Sequence, residues 1–249
     1  MILIVGDTHD DVLYFETVLS NKKSKELFDR FKISIGTIAS LEVMVLRDMV
    51  TSVLTSSVLT HIINNYVIDL VICVGKCIGV SEGLKHGNIA VSSNVIDIDV
   101  DLSRFKNVGM GEIYGFSRDF AVQDDIYGYI TENINKRPSV DFSRATFLSS
   151  DNMSADMLKY LKEHKNVFTV KDEKFVVDYN SAGVALACSL FEIPFISVKV
   201  IENGVDQSNN LKTYTNVLSR YIDLGKAVTE TISNIGRSDI VDEDIYGIR

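Results

Sequence analysis

Asp69-Leu70-Val71-Ile72-Cys73-Val74-Gly75-Lys76-Cys77-Ile78-Gly79 is followed, after three residues, by Gly83-Leu84-Lys85-His86-Gly87-Asn88-Ile89-Ala90-Val91-Ser92. An apolar run stops at Gly75, a second glycine comes four residues later, and another apolar run starts after Gly87. The pattern reads as a strand, a glycine turn and a second strand. In an open α/β sheet, ligands sit beyond the carboxyl ends of such strands, where glycines let the backbone come close. The stretch therefore locates a small-molecule site and puts Lys76 in its mouth.

Outward from this point, strands and helices alternate. Met1 to Val5 is a buried strand stopped by Gly6, and the acidic residues Asp7, Asp10 and Asp11 stand where a helix through Leu19 begins. Phe31 to Ile38 and Leu41 to Leu46 read as a hairpin, and Val50 to Tyr66 as a helix. Residues 94 to 119 read as irregular. Further helices are expected over 122–134, 157–164, 178–188 and 211–235, and strands over 145–148, 175–177 and 194–201. The alternation gives an α/β fold, one domain over 1–236 with a loosely held acidic tail over 237–249.

A chain of 249 residues with 46% apolar composition can bury a substantial core. The net charge of -9 argues against binding nucleic acid by neutralising phosphates. No apolar stretch approaches the roughly 20 residues of a membrane span. Cys73, Cys77 and Cys188 lie in apolar contexts without metal-ligand spacing. They read as buried hydrophobes in a reducing, cytoplasmic protein, with no metal and no cofactor expected.

Several stretches resemble one family. Gly75-Lys76-Cys77-Ile78-Gly79 stands where it has Gly-Ser-Ala-Gly-Gly, and 84–92 is similar to its Leu-Lys-Val-Gly-Asp-Ile-Val-Val-Ser. Asp99-Val100-Asp101 resembles its Asp-Ala-Asp, and Phe191 to Phe195 the run before its last strand. From Met1 to about Ile235 the chain resembles the bacterial methylthioadenosine/S-adenosylhomocysteine nucleosidases, within the purine nucleoside phosphorylase superfamily. The resemblance implies a twisted mixed sheet flanked by helices. It also implies hydrolysis of the N-glycosidic bond of a purine nucleoside, and a homodimer in which the segment around Gly111-Glu112-Ile113 lines the neighbour's pocket.

Such a reaction passes through an oxocarbenium-like state and needs a proton or hydrogen bond for the departing base, a clamp on the sugar and a held water. By resemblance the base partner is Asn203, where the family has Asp; a carboxamide donates a hydrogen bond but no proton. The alternative is that Asn203 only closes a strand end. Asn180 stands where a Glu holds the ribose hydroxyls, and Tyr179 where a Met packs under the sugar; Tyr179 also reads as a core aromatic. Asp11 takes the place of a water-activating Glu, one methylene shorter, and equally suits a helix start. His9 is a candidate base, or simply a solvated turn residue. Asp151, Asn152 and Met153 fall on the base-recognition segment, with Met153 replacing a stacking Phe.

Asp48-Met49-Val50-Thr51-Ser52 replaces the glycine loop Ser-Gly-Ile-Gly-Lys, which counts against phosphate as the nucleophile. Lys76 replaces a Ser and Lys199 an Arg. Lys76 either pairs with Asp48 or Asp11 across the site or reaches outward. Three readings stand: a nucleosidase with weakened activity, a catalytically inactive nucleoside binder, and other chemistry around Lys76, Asp48 and Asp11.

Overall fold

The computed structural model describes residues 1–236 apart from 103, 105–108, 113–114, 138–140, 165–167, 169–173 and 205–212, and without the side chains of 162, 164, 203, 204 and 213–218. Ile113, Leu211 and the tail over 237–249 lie outside the described residues. In chain order the elements are β1 (Ile2–Gly6), α1 (His9–Val18), β2 (Ser20–Leu27), β3 (Phe31–Ile38), β4 (Leu41–Leu46), α2 (Ser52–Asn65), β5 (Leu70–Gly79) and β6 (Ile89–Asp97). Then come β7 (Phe120–Ala121), α3 (Asp124–Asn135), β8 (Phe142–Ser149), α4 (Ala155–His164), β9 (Lys174–Asp178), α5 (Ser181–Leu190), β10 (Phe195–Gly204) and α6 (Thr213–Ile235).

The strands form one mixed sheet in the order β10-β6-β8-β9-β5-β1-β4-β3-β2, with β7 on β6. β10 also pairs with β5, so the first five strands of that order close on themselves and the last four extend as a wing. β1 lies parallel to β5 with Gly6 beside Val74. That register sets the next residues, Asp7 and Gly75, together at the carboxyl ends of the two central strands. β10 runs parallel to β5 on the other side and places Lys199 opposite Gly75.

The central strands are apolar because both faces are covered: Leu3, Ile4, Val5, Val71 and Ile72 have no exposed surface. Each fully buried side chain of this size stabilises the fold by about 1.5–3 kcal/mol. On one side α5 meets α2 so closely that a Cβ on Gly183 would lie 2.2 Å from the Ser52 carbonyl oxygen. On the other side α6 reaches α1, where a Cβ on Gly225 would lie 2.4 Å from the Tyr14 ring.

Three sequence expectations change. β5 does not stop at Gly75 but continues to Gly79, because β10 and β9 both supply ladder partners beyond that point. Residues 94–97 are strand, the last part of β6, paired with β7 and β8. β2 was not anticipated: Ser-Asn-Lys-Lys-Ser-Lys-Glu-Leu has no apolar alternation, because it is an exposed edge strand paired only with β3. Its lysines are the kind of residue that discourages further edge pairing.

Candidate active site

Asp7 is 2% exposed and sits at the end of β1. Its Oδ1 accepts hydrogen bonds from Asn180 Nδ2 at 2.8 Å and Lys199 Nζ at 2.9 Å, and its Oδ2 faces the Lys76 amide at 3.3 Å. Gly75 makes this placement feasible: with φ of 151°, a Cβ there would lie 2.4 Å from the Asp7 carboxylate. The Lys199 ammonium, fully buried, is shared among Asp7, Asp178 Oδ2 at 2.8 Å and Asn180 Oδ1 at 2.6 Å. Ser181, at the start of α5, donates to Asp178 and contacts Ser197 Oγ at 2.7 Å.

The electrostatics follow from one ammonium between two carboxylates in a buried site. Burial pushes the Asp7 carboxyl up to about 6, with Lys199 pulling the other way. For Lys199 burial works against the charge, but Asp178 and Asp7 outweigh it and hold the ammonium well above its ordinary range. Burial raises the Cys73 thiol to about 12, so it keeps its proton and donates to Asn180 Oδ1 at 3.5 Å.

Asn180 is the N-cap of α5 and has no exposed surface. Its Nδ2 donates to Asp7 and, at 2.6 Å, to the Met49 carbonyl; its Oδ1 accepts from Lys199 and Cys73. A carboxamide offers two N–H donors and two lone pairs. All four are used within the chain.

Asp11, buried in the first turn of α1, accepts from the Thr8 amide at 2.7 Å and the Thr8 hydroxyl at 2.8 Å. The Tyr221 hydroxyl donates to the same carboxylate, and burial first, then Asp11, raises the tyrosine. Asp11 thus closes the start of its own helix, as the helix-start reading expects, and stands beside Asp7 with Tyr221 over it. Lys76 is corrected: among the described residues its ion pair is with Glu202, at 3.9 Å, rather than with Asp48 or Asp11. Asp48 lies beside Arg47 at 3.4 Å. His86 meets the Glu202 carbonyl through Nδ1, at the same rim. His9 is exposed.

The 149–153 segment is tied to this centre through α2. Ser52, its first residue, donates its amide to Asp151 Oδ1 at 2.8 Å and its hydroxyl to the Tyr179 carbonyl at 3.0 Å. Asp99 accepts from Ser150 Oγ and the Asp151 amide at 2.6 and 2.7 Å. Asn152 is exposed, Met153 packs against a small core cluster containing Leu148 and Val177, and Tyr179 is half-buried. The structure therefore connects Asp11, Gly75, Tyr179, Asn180, Lys199 and Asp151. Asn203 continues β10 and pairs with Ile78, but its side chain lies outside the described residues.

Sequence reasoning missed Asp7, Asp178 and Tyr221 as site residues. Asp7 was read as part of a helix start, yet it directly follows the strand that pairs with β5, which is the signal that places it opposite Gly75. Tyr221 falls within the helix expected over 211–235, and its polar tip carries no distinguishing pattern in the sequence.

The partly closed mixed sheet flanked by helices is the α/β fold of nucleoside phosphorylase-like proteins. The chain belongs to the phosphorylase superfamily, whose family model matches residues 1–234. It is 24% identical over 235 residues to a 5'-methylthioadenosine/S-adenosylhomocysteine nucleosidase of Buchnera aphidicola, covering 93% of this chain and 97% of that one. A solved Borrelia burgdorferi structure, described as a nucleosidase of the same kind and bound to adenine, superposes with a TM-score of 0.83 at 25% identity, over 94% of this chain and all of that one. The Neisseria meningitidis nucleosidase in complex with methylthio-immucillin-A gives the same TM-score at 18% identity, over 94% and 98%.

Proposed function

We propose that this protein is an N-glycosyl hydrolase of purine nucleosides of the methylthioadenosine type, working well below the rate of an enzyme with carboxylates at positions 180 and 203. The observation that carries the reading is the buried Asp11 carboxylate, fixed by Thr8 and Tyr221 at the strand ends of a chain that matches the nucleosidase relatives over most of its length. In this reading Asp11 orients a water toward the sugar C1' and takes its proton as the C1'–N9 bond breaks. The bonding pair leaves with the base, which Asn203 stabilises by hydrogen bonding while solvent supplies the proton. Asp151, Asn152 and Met153 meet the purine, and Tyr179 lies under the sugar. Asn180, Lys199, Gly75 and Lys76 shape the sugar end.

An amide in place of a general acid forfeits about 10²–10⁴-fold. That same observation favours a second reading, nucleoside binding without turnover. Adenine release from 5'-methylthioadenosine separates them. The expected rate is well under the ~10 s⁻¹ of an ordinary enzyme. A rate near that value overturns the weakened-activity reading. Zero release with a ligand-dependent rise in melting temperature supports the binder. Neither release nor a rise overturns both. The same preparation should run as a homodimer in light scattering, as the family resemblance implies. Among the described residues no helix is long and apolar enough to cross a membrane.

A further inference from the structure

We propose that Asp7 is the specificity-determining residue of this site: its carboxylate occupies, from within the chain, the place where residue 180 would otherwise meet a sugar hydroxyl. The inference rests on the nucleoside reading above and adds a residue that reading does not require. Two separate observations carry it. First, the gap left by the missing side chain of Gly75 is filled by the Asp7 carboxylate, whose oxygens and carbon lie 2.4–2.7 Å from where a Cβ would stand. A glycine that would admit a ligand admits the chain's own acid. Second, the hydrogen-bonding capacity of Asn180 is exhausted, and one of its two donors is spent on Asp7. A sugar hydroxyl can reach that amide only by displacing a partner. Of the four, Asp7 is the one that enters from the strand end beside Gly75. The others are a backbone carbonyl, a buried thiol, and a lysine that Asp178 also holds.

The consequence is a site that holds a nucleoside of this kind more weakly than it would without the Asp7 carboxylate, because the sugar hydroxyl at the inner end must compete with it for Asn180. Removing the carboxylate should create a small polar hollow lined by Asn180 Nδ2 and Lys199 Nζ. Such donors suit either a sugar hydroxyl or a free carboxylate the size of formate.

The experiment compares wild type, Asp7→Ala and Asp7→Asn by calorimetric titration with 5'-methylthioadenosine. Asp7→Ala should bind at least about 10-fold more tightly than wild type, and Asp7→Asn, which keeps the volume and an acceptor, should stay within about threefold. Sodium formate should compete with the nucleoside in Asp7→Ala and not in wild type. A cooperatively folded Asp7→Ala that binds no more tightly overturns the proposal. Should Asp7→Ala not fold, Asp7→Ser keeps an oxygen for Lys199 and carries the same expectation. If Asp7→Ser does not fold either, Asp7 is a framework ion-pair member and the proposal falls. Wild type without adenine release but with a tight-binding Asp7→Ala counts against the proposed turnover and leaves this inference standing. Turnover by wild type with no gain in Asp7→Ala sinks this inference alone.

Discussion

The two ends of the site are built differently. Around Asp7, Asn180 and Lys199 the polar groups are buried and bonded to one another, whereas Asp151 and Asn152 are exposed and held mainly through backbone amides. The inner end is packed like core that happens to be charged; the outer end is a loop pinned at a few points. Buried charge is costly when broken, and exposed contacts are cheap. Substitutions should therefore be severe at the inner end and graded at the outer one, with α2 and α5 transmitting between them through Ser52.

The largest effect is expected for Lys199→Met. It strands Asp7 and Asp178 in a fully buried setting, and breaking a buried pair by removing one partner costs about 3–5 kcal/mol. Urea denaturation at pH 7 should show that loss, and it should shrink in acid as the carboxyls take protons. A loss under about 1 kcal/mol would mean that the inner end is as forgiving as the outer.

Gly183→Ala tests the link between the two ends. The new methyl would meet the Ser52 backbone at 2.2 Å, which no side-chain rotation relieves. Overpacking of this kind costs about 1–3 kcal/mol. Since Ser52 holds both Asp151 and the Tyr179 carbonyl, the strain should also weaken nucleoside binding.

The pH dependence of the inner end is smaller and has a definite sign. Asp7 titrates near 6 when folded, against 3.8 for an ordinary aspartate, so the folded chain holds a proton that the unfolded chain loses between those values. Stability from this group is full below about pH 4 and is lost as pH rises through 6. Relative to Asp7→Asn, the wild type should therefore gain about 1 kcal/mol between pH 7.5 and pH 5 in chemical denaturation. An equal slope in the two proteins would show that Lys199 keeps Asp7 charged throughout.

How much of this was legible in the sequence follows the same division. The strand over 70–74, its glycine and the strand from 89 on could be read from apolar runs, and so could most helices, because burial writes itself as periodicity. Asp151 and Asn180 could be placed because they sit in stretches that resemble known segments. The Asp7–Gly75 contact could not, since it depends on β1 and β5 lying side by side in register, and no local pattern encodes a partner 68 positions away in the chain. β2 was missed for the opposite reason: an exposed edge strand has no face to bury and so no alternation to show.

The mildest prediction concerns Asp151, whose carboxylate accepts the first amide of α2 from outside the helix. An acid at a helix N-terminus stabilises it by about 0.3–1 kcal/mol when exposed. Asp151→Ala should lose about that much stability. Asp151→Asn should recover most of it, because an amide oxygen still accepts from Ser52. Binding of 5'-methylthioadenosine should respond differently. If the carboxylate meets the purine, as proposed, Asp151→Asn stays several-fold weaker than wild type although its stability is restored. Stability and affinity recovering together would assign Asp151 to the helix alone and leave base recognition to Asn152 and Met153.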